Sequence, residues 1–93
     1  MKENNALPVK SWYNDMVDLL RNEMQGMATI ALRGQSILIS IRQTDFEHRL
    51  GILLQQIHRL IELHFPERED HLSVIIRDID LKNENVFKIW KPA

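Results

Sequence analysis

The chain has 93 residues, of which 44% are hydrophobic and 27% charged, and its formal net charge is −1. These values fit one small globular domain and exclude a chain that is disordered over most of its length. The near-neutral charge makes nucleic acid an unlikely partner, because phosphate contacts require clustered Lys and Arg. Cysteine is absent, which favours a reducing, cytoplasmic location. A run of about 20 apolar residues is also missing, so a membrane span is not expected.

A first helix is predicted after a polar N-terminal stretch. Residues 1–10 predict a flexible tail, so that a single predicted domain covers residues 11–93. Ser11 suits an N-cap, and Gly26 stands where a glycine commonly follows a helix. Between them, apolar residues recur at helical spacing and predict a helix over Trp12–Gln25. These residues are Trp12, Met16, Leu19, Leu20 and Met24.

A β-hairpin is predicted around Gly34-Gln35, since glycine at the first central position suits a two-residue type II′ turn. This turn fixes a register in which Leu32 faces Ile37, Ile30 faces Ile39 and Ala28 faces Ile41. All three apolar pairs then share one face, because strand side chains alternate. The other face is mixed and is expected to be solvated or half covered; it carries Thr29, Ala31, Leu38, Ser40 and Arg42.

A second helix is predicted over Asp45–His64. Thr44 and Glu47 form the T-x-x-E pattern of a capping box, and Pro66 stops the helix. The helix carries an amphipathic stripe that predicts a packed face against the sheet. The stripe consists of Phe46, Leu50, Leu53, Leu54, Ile57, Leu60 and Ile61.

Two further strands complete the predicted fold. Leu72, Val74 and Ile76 alternate with other residues in a third strand, and Val86–Lys91 forms a short last strand after a polar turn over Asp78–Asn85. The resulting order, αββαββ, predicts an α+β fold. We expect a two-layer arrangement with a four-stranded antiparallel sheet and two helices on one face.

The sequence predicts no catalytic, cofactor-binding or metal site, and therefore a non-enzymatic protein. The four histidines His48, His58, His64 and His71 lack the cysteines or the HExxH pattern of a zinc site. The glycines are isolated, so a phosphate-binding loop is not expected. A weak basic and aromatic cluster near the C-terminus leaves a small nucleic-acid-binding protein as an alternative. It comprises Lys82, Phe87, Lys88, Trp90 and Lys91.

Four apolar residues lie outside the predicted core and are the candidate partner-binding residues. Leu38 and Ile75 belong to the second face of the sheet, and Ile52 and Leu63 lie off the main stripe of the second helix. Leftover apolar area on a small protein commonly meets a partner. We therefore expect another protein as partner, which could be a second copy in a homodimer.

A sharper hypothesis comes from Phe65-Pro66-Glu67, Glu69 and His71-Leu72-Ser73-Val74, together with Ile39-Ser40-Ile41, Thr44 and Leu60-Ile61. Over residues 36–76 these residues resemble the DinI-like family of modulators of the RecA recombinase, and the resemblance implies a strand, a helix and a second strand in this order. The resemblance implies a bacterial regulator of the DNA damage response. That family ends in an acidic helix that contacts RecA, whereas this chain ends in Trp90-Lys91-Pro92-Ala93 and has an additional helix and strand before the matching region. The architecture also resembles small dimeric secretion chaperones, which is the alternative.

Overall fold

The computed structural model of the chain describes residues 11–67, 71–80 and 83–89. These residues form an α+β fold, whereas the predicted tail over residues 1–10 lies outside the described part. The helices are α1 (Ser11–Glu23), α2 (Gln43–His48) and α3 (Leu50–His64). The strands are β1 (Ala28–Arg33), β2 (Ser36–Ile41), β3 (Leu72–Asp78) and β4 (Glu84–Ile89), and they form one sheet in the order β1-β2-β3-β4.

The predicted first hairpin is confirmed residue by residue. β1 and β2 are antiparallel, with Arg33 opposite Ser36 and Ile30 opposite Ile39. Gly34 has a φ of +61°, a backbone conformation that side chains with a Cβ rarely adopt. The turn therefore sets the register, and the register sets which side chains share a face.

The prediction of a fully antiparallel sheet is wrong at its centre. β2 and β3 are parallel, with Ile37 opposite Val74 and Ile39 opposite Ile76. The physical reason is the connection between them. α2 and α3 return the chain to the end of the sheet at which β2 begins, so β3 runs in the same direction as β2. β3 and β4 are antiparallel, which makes the sheet mixed.

The predicted second helix is two helices with a break at Arg49, whose φ and ψ are −125° and 11°. The predicted capping box is also wrong, because α2 begins at Gln43 and has no side-chain cap from the residue before it. Instead, the Gln43 N–H donates to Asp80 Oδ2 at 3.0 Å, from the turn that follows β3. In the described residues, no helix is both long enough and apolar enough to cross a membrane.

The predicted strand boundaries near the C-terminus are shifted. Asp78 belongs to β3 and Glu84 and Asn85 belong to β4, so the predicted polar turn is shorter than expected. Asp78 is buried, and its Oδ1 accepts a hydrogen bond from the Asp80 N–H at 2.7 Å. This hydrogen bond satisfies one of the two oxygens of the buried carboxyl group.

One hydrophobic core joins α1, α3 and a single face of the sheet. Its strand members include Ile30, Ile37, Ile39, Val74 and Ile76, all of them buried. The helices contribute Tyr13, Met16, Val17, Leu20, Leu53, Ile57, Leu60 and Ile61, and the turn after α1 contributes Met24. The predicted stripe faces this core: Leu53, Ile57, Leu60 and Ile61 are buried, and Phe46, Leu50 and Leu54 are partly buried against it. The Tyr13 hydroxyl accepts a hydrogen bond from the Ser73 N–H at 2.8 Å, which ties α1 to the start of β3.

Candidate protein-binding face

The sheet face away from the core, which we call the open face, carries one apolar residue from each strand. The register places them side by side as Ala31 on β1, Leu38 on β2, Ile75 on β3 and Val86 on β4. We call these four residues the apolar row. None of them belongs to the core cluster; Leu38 and Ile75 are half-buried by their neighbours, and Val86 is 64% exposed. A continuous apolar stripe therefore crosses the whole sheet.

Hydrogen-bonded polar side chains border the apolar row on both sides of its centre. On one side, Arg77 Nε donates to Ser40 Oγ at 3.2 Å. On the other side, the hydroxyls of Ser36 and Ser73 share a hydrogen bond of 2.7 Å. Both contacts link β2 to β3, so the side chains around Leu38 and Ile75 are held in place before any partner arrives.

An ion pair crosses the open face from one edge strand to the other. Arg33 on β1 and Glu84 on β4 approach to 2.7 Å between Nη1 and Oε2. Arg33 lies in the row of Ser36 and Ser73, whereas Glu84 lies in the row of Arg77. The pair thus passes diagonally over the middle of the apolar row. Its partly exposed side chains are screened by water, so it contributes little to stability and can rearrange.

A shallow groove of about 330 Å³ continues the open face beyond the ends of β2 and β3. Its walls include Thr29, Ser40 and Arg42, together with the exposed apolar side chains of Met27 and Ile79. A second apolar surface, formed by Met27 and Ile79, therefore lies beyond the polar border of the row, near the carboxyl ends of the parallel strands.

The structure separates the four candidate residues into one pair and two single positions. Leu38 and Ile75 are register partners on the open face. Ile52 and Leu63 lie on α3, 50% and 69% exposed, and belong to the helical layer. They are 11 positions apart, which is about 16 Å along a helix, so they do not form one patch with each other. Ile52 lines a pocket with Met27 and Leu53, whereas Leu63 does not line that pocket.

Carboxylates gather at the carboxyl ends of β2 and β3, a common place for sites in sheets with parallel strands. Each has a structural contact. Asp78 accepts from the Asp80 N–H, Asp80 caps α2 through Gln43, and Asp45 Oδ2 lies 3.6 Å from Arg42 Nε. Within residues 11–67, 71–80 and 83–89, no three His, Cys, Asp or Glu side chains are grouped to hold a metal ion.

The predicted basic and aromatic cluster is not assembled by the described residues. Phe87 lies on the core face of β4 and packs against the core, whereas Lys88 points to the open face. Lys82, Trp90 and Lys91 lie outside the described part of the chain.

Sequence reasoning missed Val86 and the Arg33–Glu84 ion pair. Both depend on β4 lying next to β3, which local patterns do not determine. The alternation of Val86 with Glu84 and Lys88 was the available signal for one face.

No protein-family model, no curated protein and no solved structure matches this chain. The resemblance to the DinI-like family therefore stays a prediction made from the residues alone.

Proposed function

We propose that the protein is a non-enzymatic, protein-binding regulatory module that uses the open face to dock a segment of another protein. The observation that carries the proposal is the apolar row, which crosses all four strands and has no cover from the core. Apolar surface with a polar border is the usual anatomy of a protein interface.

The charges of the open face indicate the chemistry of the partner. Its strand residues include three basic side chains, Arg33, Arg77 and Lys88, and one acidic side chain, Glu84. The whole chain, in contrast, has a formal net charge of −1. A segment that combines apolar and acidic side chains fits this face better than a basic segment does.

A cytosolic location is part of the proposal and rests on the absence of cysteine.

The sharper version of the proposal is a DinI-like modulator of a recombinase. β2, the α2–α3 connection and β3 supply a strand, helical segment and strand in the order that the resemblance implies. The segment that resembles the family ends in β3, which contributes Ile75 to the apolar row. In this version of the proposal, the open face makes the contact with the recombinase-type partner.

The test compares matched substitutions on the two surfaces that carry the candidate residues. The full chain is used to capture partners from a bacterial lysate as wild type, as Ile75→Glu and as Leu63→Glu. We expect Ile75→Glu to reduce the captured protein about tenfold or more, since it buries a charge at the centre of the row. Leu63→Glu is expected to leave capture unchanged.

Two controls and one contradicting outcome complete this test. Circular dichroism must show that both variants remain folded. Capture that fails only in Leu63→Glu would contradict the proposal and assign binding to α3. Capture that disappears after nuclease treatment would favour the nucleic-acid alternative. On the open face, no aromatic side chain for base stacking stands among the described strand residues.

A further inference from the structure

The two edge strands of the sheet, β1 and β4, differ in whether the N–H and C=O groups on their outer side have hydrogen-bond partners. On β1, the Ala28 N–H donates to the Met24 carbonyl at 3.1 Å, and the Ile30 carbonyl accepts from Arg21 Nε at 3.1 Å. Residues from α1 and its C-terminal end thus cover the outer edge of β1. An edge that is covered in this way is protected against pairing with another strand.

The outer edge of β4 has no such cover among the described residues. The Asp78 N–H donates to the Asn83 carbonyl at 2.9 Å, which makes these two residues a hydrogen-bonded pair. In an antiparallel ladder, hydrogen-bonded pairs alternate with pairs that are not hydrogen-bonded. The backbone groups of Asn85, Phe87 and Ile89 therefore bond to β3. The N–H and C=O groups of the intervening residues, Glu84, Val86 and Lys88, therefore point away from the sheet.

These three residues are self-complementary. We infer that β4 pairs with β4 of a second copy of this chain, antiparallel and about a two-fold axis at Val86. In this register Glu84 lies opposite Lys88 of the second copy, Val86 opposite Val86, and Lys88 opposite Glu84. Each of these pairs joins residues whose backbone groups point outward, so the hydrogen-bond pattern and the side-chain pattern require the same register.

The side chains of all three residues lie on the open face, so the pairing joins the open faces of the two copies on one side of the combined sheet. Opposite charges meet twice and apolar side chains meet at the axis. Glu84 keeps its contact with Arg33 through Oε2, and the carboxylate has a second oxygen for the incoming lysine. The two sheets join into one of eight strands, and the two apolar rows become one continuous row. This inference concerns β4 alone and does not depend on the partner proposed for the open face.

The first experiment is sedimentation equilibrium of the full chain from micromolar to millimolar concentration. We expect a monomer–dimer equilibrium for the wild type. Lys88→Glu places Glu opposite Glu84 twice and is expected to weaken the dimer about tenfold or more. Arg59→Glu, on the exposed side of α3, makes the same change in net charge and is expected to leave the equilibrium unchanged.

Mixing two charge-reversed variants tests whether restored opposite charges also restore the dimer. Glu84→Lys alone places Lys opposite Lys88 twice, yet a mixture of Lys88→Glu with Glu84→Lys restores opposite charges in the mixed pair. We expect the mixture to form a heterodimer at least as readily as the wild type forms a homodimer. Hydrogen exchange gives a direct readout: the amides of Glu84, Val86 and Lys88 are expected to gain protection with concentration, whereas those of Asn85 and Phe87 are protected at all concentrations.

Each opposite result would overturn the inference. A wild type that stays monomeric at millimolar concentration removes it, as does a dimer that Lys88→Glu leaves unchanged. A mixture that fails to associate assigns any dimer to another surface. Because capture by the open face is tested with Ile75→Glu, failure of that proposal and failure of this one give different results.

Discussion

The two faces of the β-sheet are built from the same strands but differ in what covers them. Ile39 on β2 is completely buried beneath the helices, whereas Leu38, its neighbour in the chain, is half-buried on the open face. β3 repeats the contrast with Ile76 and Ile75. Since Ile75 and Ile76 are the same residue type in the same strand, the difference comes from the layer above them. The apolar side chains that remain on the second face are the basis of the proposed docking role.

The largest predicted effect compares Ile39→Ala with Leu38→Ala. Ile39→Ala is expected to lower the free energy of unfolding by about 2–5 kcal/mol, because it removes buried methyl groups and leaves a cavity. Leu38→Ala is expected to cost about 1 kcal/mol, since that side chain is only partly buried and none of the described helices packs over it. Urea unfolding measures both values. Equal losses would mean that the two faces are equally covered in solution.

Gly34→Val tests the turn that assigns residues to the two faces. Valine at a φ of +61° is strained, and we expect a loss of about 1–3 kcal/mol in a thermal melt. Gly51→Ala is the control, because Gly51 has no positive φ and an added Cβ would meet open space. Alanine there is expected to be neutral or stabilising by about 0.5–1 kcal/mol. An unchanged melting temperature for Gly34→Val would contradict the turn.

Asp80→Ala tests the hydrogen bond that joins the start of α2 to the turn after β3. The substitution removes the acceptor for the Gln43 N–H and is expected to cost about 1 kcal/mol. Asp80→Asn retains an acceptor oxygen and is expected to stay close to the wild type. The comparison is made by urea unfolding, and equal losses in the two variants would show that the charge matters rather than the cap.

The smallest predicted effect belongs to the ion pair over the open face. A double-mutant cycle with Arg33→Ala and Glu84→Ala is expected to give a coupling energy of about 0.2–1 kcal/mol, because both side chains are partly exposed. The coupling should decrease as salt is added. A larger, salt-independent value would mean that the pair is a fixed part of the fold and keeps a partner away from the row.

The hairpin and the non-local contacts show how far sequence reasoning reaches. Gly34-Gln35 sets the β1–β2 register within two residues, so the pattern alone placed Leu38 on the second face. The direction of β3 follows from which strand it lies beside, and several neighbours satisfy the same alternation. The cap that Asp80 provides to Gln43 joins residues 37 positions apart in the chain, so local patterns do not reveal it. The apolar row was therefore predicted in part: alternation placed Ala31, Leu38 and Ile75 on the second face, but it did not place Leu38 beside Ile75 or Ile75 beside Val86.

The parallel junction between β2 and β3 has a consequence for folding kinetics. Each hairpin pairs residues that are close in the chain, whereas Ser36 and Ser73, in contact across the junction, are 37 positions apart. Closing the longer loop loses more chain entropy, so we expect the hairpins to form first and the junction last. Leu38 and Ile75 become neighbours only in that final step. A ligand that touches both side chains binds the completed sheet and not its halves, so it should slow the opening of the junction and raise the apparent stability with its concentration.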